Sequence, residues 1–189
     1  MLTTDSLQIV SDGFSGLVRS VGDEQWSLPT PCDGWTVRQL VGHVTSGSEM
    51  ATVLGDGASR NDAITVLGVD HLGDDPVVAV DRALQRQLAV FDRPDIDVQV
   101  FHHPAGDMPG SMVLMFRVSD LLVHHWDLAR AIGADESLDA SVVREVWEGV
   151  APMLPMMANS GVFGEGPSGA VGDDAPLQSK LLDAVGRRP

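Results

Sequence analysis

The residues best suited to chemistry lie in the segment DLLVHHWDLARA, which spans Asp120 to Ala131. The segment holds two adjacent histidines and two aspartates within an apolar pattern that is typical of a helix. On such a helix Asp120, His124 and Asp127 stand at positions i, i+4 and i+7, so they share one face. A carboxylate and an imidazole one turn apart can bind the same divalent metal ion. The same spacing is also common as a helical hydrogen bond or a surface pair, so both interpretations stay open.

Two neighbouring residues of this segment have open roles. Successive residues on a helix point about 100° apart, so His124 and His125 cannot share one role. His125 falls on the most continuous apolar arc, where it is either an alternative ligand or a core histidine bonded to a neighbouring helix. Asp127 either orients a ligand histidine or forms an ion pair with Arg130, three residues later.

A third metal ligand must come from another part of the chain, and His43 is the best candidate. It lies in RQLVGHVTSGSEM, on a helical stripe with Leu40, Gly47 and Met50, which predicts that it faces the interior. Three protein ligands would leave further coordination positions for water or substrate, as in catalytic metal sites. Taken alone, His43 is also explained as a core or boundary histidine whose hydrogen bonds are satisfied.

Four substantial helices are predicted to carry these residues, because apolar residues recur along each at spacings of three and four. Thr36 and Gln39 have the spacing of a capping box at the start of the second helix. Gly133 suits the C-terminal cap of the fourth. The sequence therefore predicts an all-α fold, a four-helix bundle. Its helices are expected at about Thr4 to Val21, Thr36 to Leu54, Pro76 to Phe91 and Pro109 to Ile132.

The remaining segments are predicted to be peripheral additions to the bundle. A further helix is expected from about Ala140 to Val150, and a short terminal helix from about Leu177 to Val185. A stretch rich in Gly, Ser and Asp at 159–176 is expected to be a loop. The prolines and glycine of PTPCDGW should block regular structure, and DVQVF at 97–101 favours a short extended segment.

Length and composition bound the class of protein. The 189 residues fit a single domain over 1–189, with its core at about 1–158 and a loop and short helix at 159–189. The formal net charge of −15 argues against nucleic acid and against anionic membrane surfaces as partners. Cys32 is the only cysteine, so neither an intramolecular disulfide nor a cysteine-based zinc cluster is expected. No signal peptide or membrane-spanning stretch is recognisable, which predicts a cytoplasmic protein.

Two motifs together give the chain a specific resemblance. PTPCDGWTVRQLVGHV and DLLVHHWDLARAIG, in this order and spacing, resemble the mycothiol-dependent maleylpyruvate isomerase N-terminal family, part of the DinB-like superfamily of metalloenzymes. The resemblance extends from the first helix to the terminal LLDAVGRRP. It is closest to the actinobacterial metal-binding branch that lacks the isomerase's separate C-terminal domain. The resemblance implies a DinB-like four-helix bundle with a peripheral short helix and loops.

The resemblance also implies a set of metal ligands. The family's first ligand histidine corresponds to His43, and its later E-x-x-x-H pattern, one residue before W-D-L, corresponds to Asp120 and His124. His125 then takes the intervening position. Asp120 stands where the family often has glutamate or histidine. Because aspartate is shorter than glutamate, a metal is expected to shift or to bind more weakly, or the site to be vacant. The expected cofactor is a divalent metal ion, with zinc favoured over nickel and other ions.

Two classes of function are consistent with such a site. In the first, the chain is a metal-dependent enzyme whose metal activates water or a low-molecular-weight thiol of the mycothiol type. The reaction would be a transfer, an isomerisation or a hydrolysis on a small-molecule substrate. In the second, the chain is a non-catalytic module that binds a small molecule or a partner, with a structural or degenerate metal site. A homodimer is compatible with the apolar surface of such a bundle.

Overall fold

Helices dominate the described residues, 2–153 and 166–189, of this computed structural model. Two short strands, β1 (Val100–His103) and β2 (Gly106–Pro109), pair antiparallel. Single 3-10 turns cover Asp23–Ser27 and Ala151–Met153. The helices are α1 (Thr4–Ser20), α2 (Val37–Gly55), α3 (Arg60–Leu67), α4 (Pro76–Phe91), α5 (Gly110–Ile132), α6 (Ala140–Val150) and α7 (Leu177–Ala184).

The predicted four-helix bundle is confirmed, and it consists of α1, α2, α4 and α5. Helix α2 packs against α4 and α5, and α1 packs against the same two helices. The consecutive long helices α1 and α2 therefore lie diagonally across the bundle. Each contributes an apolar stripe at helical spacing, which on α1 comprises Leu7, Val10, Phe14 and Val18. Burial of such stripes is the main source of helix stability in a bundle.

The described chain divides into two compact units, Leu2–Glu136 and Ser137–Pro189. The first contains the bundle, α3 and the hairpin. In the second, α6 packs against α7. The interpretation of residues 1–189 as one domain stays a prediction. Among the described residues, no helix combines the length and the hydropathy of a membrane span.

Local signals at two helix ends act as predicted. The Thr36 side chain accepts a hydrogen bond from the backbone N–H of Gln39, and the Gln39 side chain accepts one from the N–H of Thr36. This reciprocal capping box fixes the start of α2. Gly133 ends α5 with φ 71°, the left-handed conformation that glycine adopts without steric cost. Both ends matter because α2 and α5 carry the candidate ligands.

Three local predictions need correction. No helix is predicted between Leu54 and Pro76, but Ser59 caps helix α3 in this interval. Pro109 was expected in the first turn of the fourth helix, yet it ends β2 and precedes α5. The extended segment expected at 97–101 begins only at Val100 and continues to His103. The part of the predicted loop at 159–165 lies outside the described residues.

Candidate metal centre

Three side chains predicted as ligands converge between α2 and α5. His43 comes from α2, while Asp120 and His124 stand one turn apart on α5. Oδ1 of Asp120 lies 3.2 Å from Nε2 of His43 and 3.4 Å from Nε2 of His124. The packing of α2 against α5 thus brings together residues that are 77 positions apart in the chain.

Two of the three separations among these ligand atoms fit a divalent metal ion. Two ligand atoms bound at about 2.05 Å and at a tetrahedral angle lie about 3.3 Å apart. The two distances from Asp120 Oδ1, 3.2 and 3.4 Å, agree with that separation. All three ligand atoms lie within 4.8 Å of one another. Two imidazoles and one carboxylate suit zinc and several other divalent ions.

Exposure increases across the site from one histidine to the other. The His124 side chain is 9% exposed, Asp120 is 24% exposed and His43 is 41% exposed. The prediction that His43 faces the interior is therefore wrong, because the residue lies at the open edge of the cluster. A centre held by these atoms would be anchored on its buried side and accessible on the side of His43. Such accessibility is typical of catalytic rather than closed structural metal sites.

The second nitrogen of His124 binds a buried carboxylate. Nδ1 of His124 lies 2.9 Å from Oδ2 of Asp127, whose side chain is fully buried. The Cys32 thiol donates to the same oxygen over 3.3 Å. The contact with Nδ1 of His124 agrees with the role of Asp127 as a group that orients this ring, and Arg130 pairs with Glu136. Cys32, His124 and Asp127 are also close enough to hold a metal, but ordinary hydrogen bonds account for their spacing.

Charge pairing sets the protonation of the cluster. Burial alone would raise the pKa of Asp120, but the charges of His124 and Arg117 outweigh it and hold that pKa well below its usual range. Burial would lower the pKa of His124, whereas the Asp120 charge and hydrogen bonds to Asp120 and Asp127 raise it well above the usual range. In the metal-free protein the raised pKa favours the protonated form of His124, in which each ring nitrogen faces a carboxylate. A metal must displace the proton on Nε2.

A tight loop before α2 builds one wall of the site. Gly34 adopts φ 75°, and the backbone N–H of Thr30 donates to the carbonyl of Trp35 over 3.0 Å. The indole ring of Trp35 lies 4.8 Å from the His43 ring and 6.1 Å from the His124 ring, between centroids. Its position beside both candidate ligands makes Trp35 part of the site wall.

Sequence reasoning also missed Arg117, which lies beneath the cluster. Its Nη1 donates to Oδ2 of Asp120 over 2.9 Å, and only 5% of its side chain is exposed. The available signal was a basic residue three positions before Asp120, on the same helical face.

The other histidines near these elements lie apart from the three ligands. His125 faces α1, where a Cβ added to Gly13 would lie 3.2 Å from its Nδ1. Burial lowers the pKa of His125. His102 pairs with Asp107 on the hairpin, with 3.1 Å between Nδ1 and Oδ1. His103 packs edge-on against Phe116, at 5.9 Å between ring centroids.

Comparison with known proteins places this bundle in a family. The model of the mycothiol maleylpyruvate isomerase N-terminal domain matches residues 7–129, which lie within the first compact unit. Uncharacterized proteins from two strains of Mycobacterium tuberculosis, CDC 1551 and H37Rv, are each 31% identical over 138 residues. Each match covers 73% of this chain and 71% of the relative.

Two solved structures share the fold. The crystal structure of the mycothiol-dependent maleylpyruvate isomerase aligns with a TM-score of 0.57 at 17% identity, over 76% of this chain and 70% of that one. A histidine-to-alanine mutant of the isomerase aligns with a TM-score of 0.61 at 14% identity, over 88% of this chain and 75% of that one. The fold is therefore that of a DinB-like helical bundle. The chain belongs to the mycothiol maleylpyruvate isomerase N-terminal domain family.

Proposed function

We propose that the protein is a metal-dependent enzyme that activates a low-molecular-weight thiol of the mycothiol type, or water, for reaction with a small-molecule substrate. The observation that carries this proposal is the convergence of Asp120 Oδ1 with Nε2 of His43 and His124, at 3.2 and 3.4 Å. A bound divalent ion, with zinc favoured, would lower the pKa of the coordinated thiol or water toward neutral pH. The reaction would be a transfer, an isomerisation or a hydrolysis.

The protein's own residues would prepare and enclose the reacting groups. Asp127 keeps a proton on Nδ1 of His124, which leaves Nε2 as the ligand nitrogen. His43 stands at the accessible edge, where a thiol or water can approach. Trp35 covers one side of both histidines, so the indole can exclude water from a bound substrate.

A thiol is favoured over water as the activated group by the family relationship. The two solved neighbours are described as mycothiol-dependent maleylpyruvate isomerases. Two imidazoles and one carboxylate leave at least one position of a tetrahedral ion available for a sulfur ligand.

We further propose that the protein is cytoplasmic and that it has no nucleic-acid or membrane partner.

One observation favours a non-catalytic alternative. Both oxygens of Asp120 already have partners without a metal, because Arg117 holds Oδ2 and the two histidines lie beside Oδ1. The cluster is thus complete as an ion-pair network. A binding module with a structural or degenerate metal site would have the same arrangement.

Metal analysis of purified protein tests the ligand set. We expect about one equivalent of divalent metal in the parent, and its loss in both His43→Ala and His124→Ala. His125→Ala is the matched control, since it removes the adjacent histidine that faces α1 and should keep the metal. Stoichiometric metal retained by both ligand variants would overturn the proposed centre.

A second measurement separates enzyme from binding module. Metal-loaded parent protein should accelerate the consumption of mycothiol, or a surrogate thiol, by small electrophiles, and His124→Ala should not. If metal removal lowers the melting temperature strongly while no electrophile or hydrolysable substrate reacts, the structural alternative is favoured. A small change in melting temperature with loss of turnover supports the enzyme.

A further inference from the structure

We propose that Arg117 is a positioning residue that presents Asp120 to the metal through one oxygen only. The inference rests on the proposed function, because it concerns the same three ligands. Among the described residues, Arg117 hydrogen-bonds to Asp120 and to neither ligand histidine, so it acts through Asp120.

Hydrogen bonds to four residues hold the Arg117 guanidinium in the bundle core. Nε donates to Oε1 of Gln87 over 2.8 Å, and Nη2 donates to the carbonyl of Val44 and to Oγ of Ser48 over 3.1 and 3.2 Å. Nη1 donates to Oδ2 of Asp120 over 2.9 Å. These partners come from α2, α4 and α5, so three helices fix the orientation of one charged group. A charged side chain that is 5% exposed needs such partners to be tolerated.

Gly47 leaves the space that the Arg117 guanidinium occupies. A Cβ added to Gly47 would lie 2.2 Å from Nη1 and 2.8 Å from Cζ of Arg117. Gly47 lies within the regular helix α2, so a turn does not explain the glycine. The close approach of the guanidinium does explain it. Alanine at this position would favour the helix more than glycine does, but its Cβ would overlap the guanidinium of Arg117.

The two carboxylate oxygens of Asp120 therefore have different partners. Oδ2 is held by Arg117, and Oδ1 is the oxygen that lies near Nε2 of both histidines. A carboxylate held in this way presents one oxygen to a metal and leaves other coordination positions for water or a thiol. Without Arg117, Asp120 could rotate or offer both oxygens.

Removal of Arg117 distinguishes positioning from simple repulsion, because the two effects have opposite signs. A fixed cation close to a divalent ion weakens its binding by electrostatics, so Arg117→Met should then bind metal more tightly. A residue that orients a ligand does the reverse. Loss of such outer contacts typically weakens metal affinity by about 10–100-fold.

The experiment is a cobalt titration of metal-free full-length protein, followed by visible absorption. We expect Arg117→Met to bind Co²⁺ about 10–100-fold more weakly than the parent, with a changed ligand-field spectrum. Gly47→Ala keeps the charge but displaces the guanidinium, and it should shift affinity and spectrum in the same directions. Arg86→Met is the matched control, because Arg86 pairs with the buried carboxylate of Glu49 rather than with a ligand. It should leave both readouts unchanged.

The outcomes separate this inference from the proposed function. If the parent binds Co²⁺ but Arg117→Met and Gly47→Ala stay within about twofold of it, or bind more tightly, positioning by Arg117 is overturned while the metal site stands. If the parent binds no Co²⁺, the proposed function fails and the inference fails with it. Circular dichroism checks folding. Should Arg117→Met not fold, Gly47→Ala carries the test.

Discussion

Nδ1 of His124 donates a hydrogen bond to Oδ2 of Asp127 over 2.9 Å, and this contact turns the other ring nitrogen toward Asp120 and His43. Asp127 is fully buried, so the carboxylate has little freedom to move. A histidine held in this way has a fixed ring orientation and a fixed tautomer when Nε2 binds a metal. Asp127 and His124, three residues apart on α5, thus form a hydrogen bond that fixes the position of Nε2, the proposed ligand atom on the opposite side of the His124 ring.

Replacement of Asp127 should weaken metal binding although the residue is outside the proposed ligand set. We expect Asp127→Ala to lower zinc affinity by about 10–100-fold, because Nδ1 of His124 loses its acceptor. Asp127→Asn keeps a side-chain oxygen in the same place and should lose less. Competition with a chromophoric chelator measures both. Equal affinity in the parent and Asp127→Ala would show that His124 needs no orienting carboxylate.

The charge pair at the site predicts how the stability of the metal-free protein depends on pH. His124 has a raised pKa, so its contribution is full below about 6.5, the value of an unfolded histidine, and is lost as pH rises through the folded pKa. Asp120 has a lowered pKa, so its contribution is full above about 3.9 and is lost as pH falls through the folded pKa. The pair therefore stabilises the fold most between these two values.

Urea unfolding in the presence of a chelator measures this dependence. The free energy of unfolding of the parent, relative to His124→Gln, should decline as pH is raised above about 6.5. The difference between the two proteins cancels the opposite contributions of His103 and His125, whose pKa values burial lowers. A difference that is constant from pH 6 to pH 9, a span of about three units, would contradict the assignment of a raised pKa to His124.

Trp35 should report metal binding by its fluorescence. Its ring lies 4.8 Å from that of His43 and 6.1 Å from that of His124. Exchange of a proton for a metal on His124 changes the charge beside the indole, so emission should change as metal is added. Trp35→Phe should abolish most of that change while it keeps metal affinity. His43→Ala, with Trp35 present, should abolish it by the loss of the metal itself.

Signals within one helix were readable from the sequence. The capping box at Thr36 and the glycine cap at Gly133 located the ends of α2 and α5. The i,i+4 spacing put Asp120 and His124 on one face. Helix α3 was missed because it has eight residues and a weak apolar pattern, although Ser59 and Asp62 have the spacing of a capping box.

Relationships between helices were not readable in the same way. The approach of His43 to Asp120 depends on the packing of α2 against α5. The helical stripe made His43 a candidate ligand, and the family resemblance paired it with Asp120. A helical wheel gives the face of His43 but not its height along the bundle axis, so the wheel wrongly predicted burial. The hydrogen-bond partners of Arg117 come from α2, α4 and α5, and no local sequence pattern predicts such a convergence.

Two glycines test whether the start of α5, the helix that carries Asp120 and His124, is packed as described. A Cβ added to Gly110 would lie 2.0 Å from the backbone oxygen of Ile96, which cannot move as a side chain can. Gly110→Ala should therefore lower the free energy of unfolding by about 1–3 kcal/mol. Gly16 is the matched control, because it lies within α1 and no heavy atom of the described residues, its own helix backbone aside, lies within 4 Å of an added Cβ. Gly16→Ala should stabilise by about 0.5–1 kcal/mol through its helix propensity. Urea denaturation measures both values, and a stabilising effect of Gly110→Ala would mean that the junction between the hairpin and α5 is not closely packed.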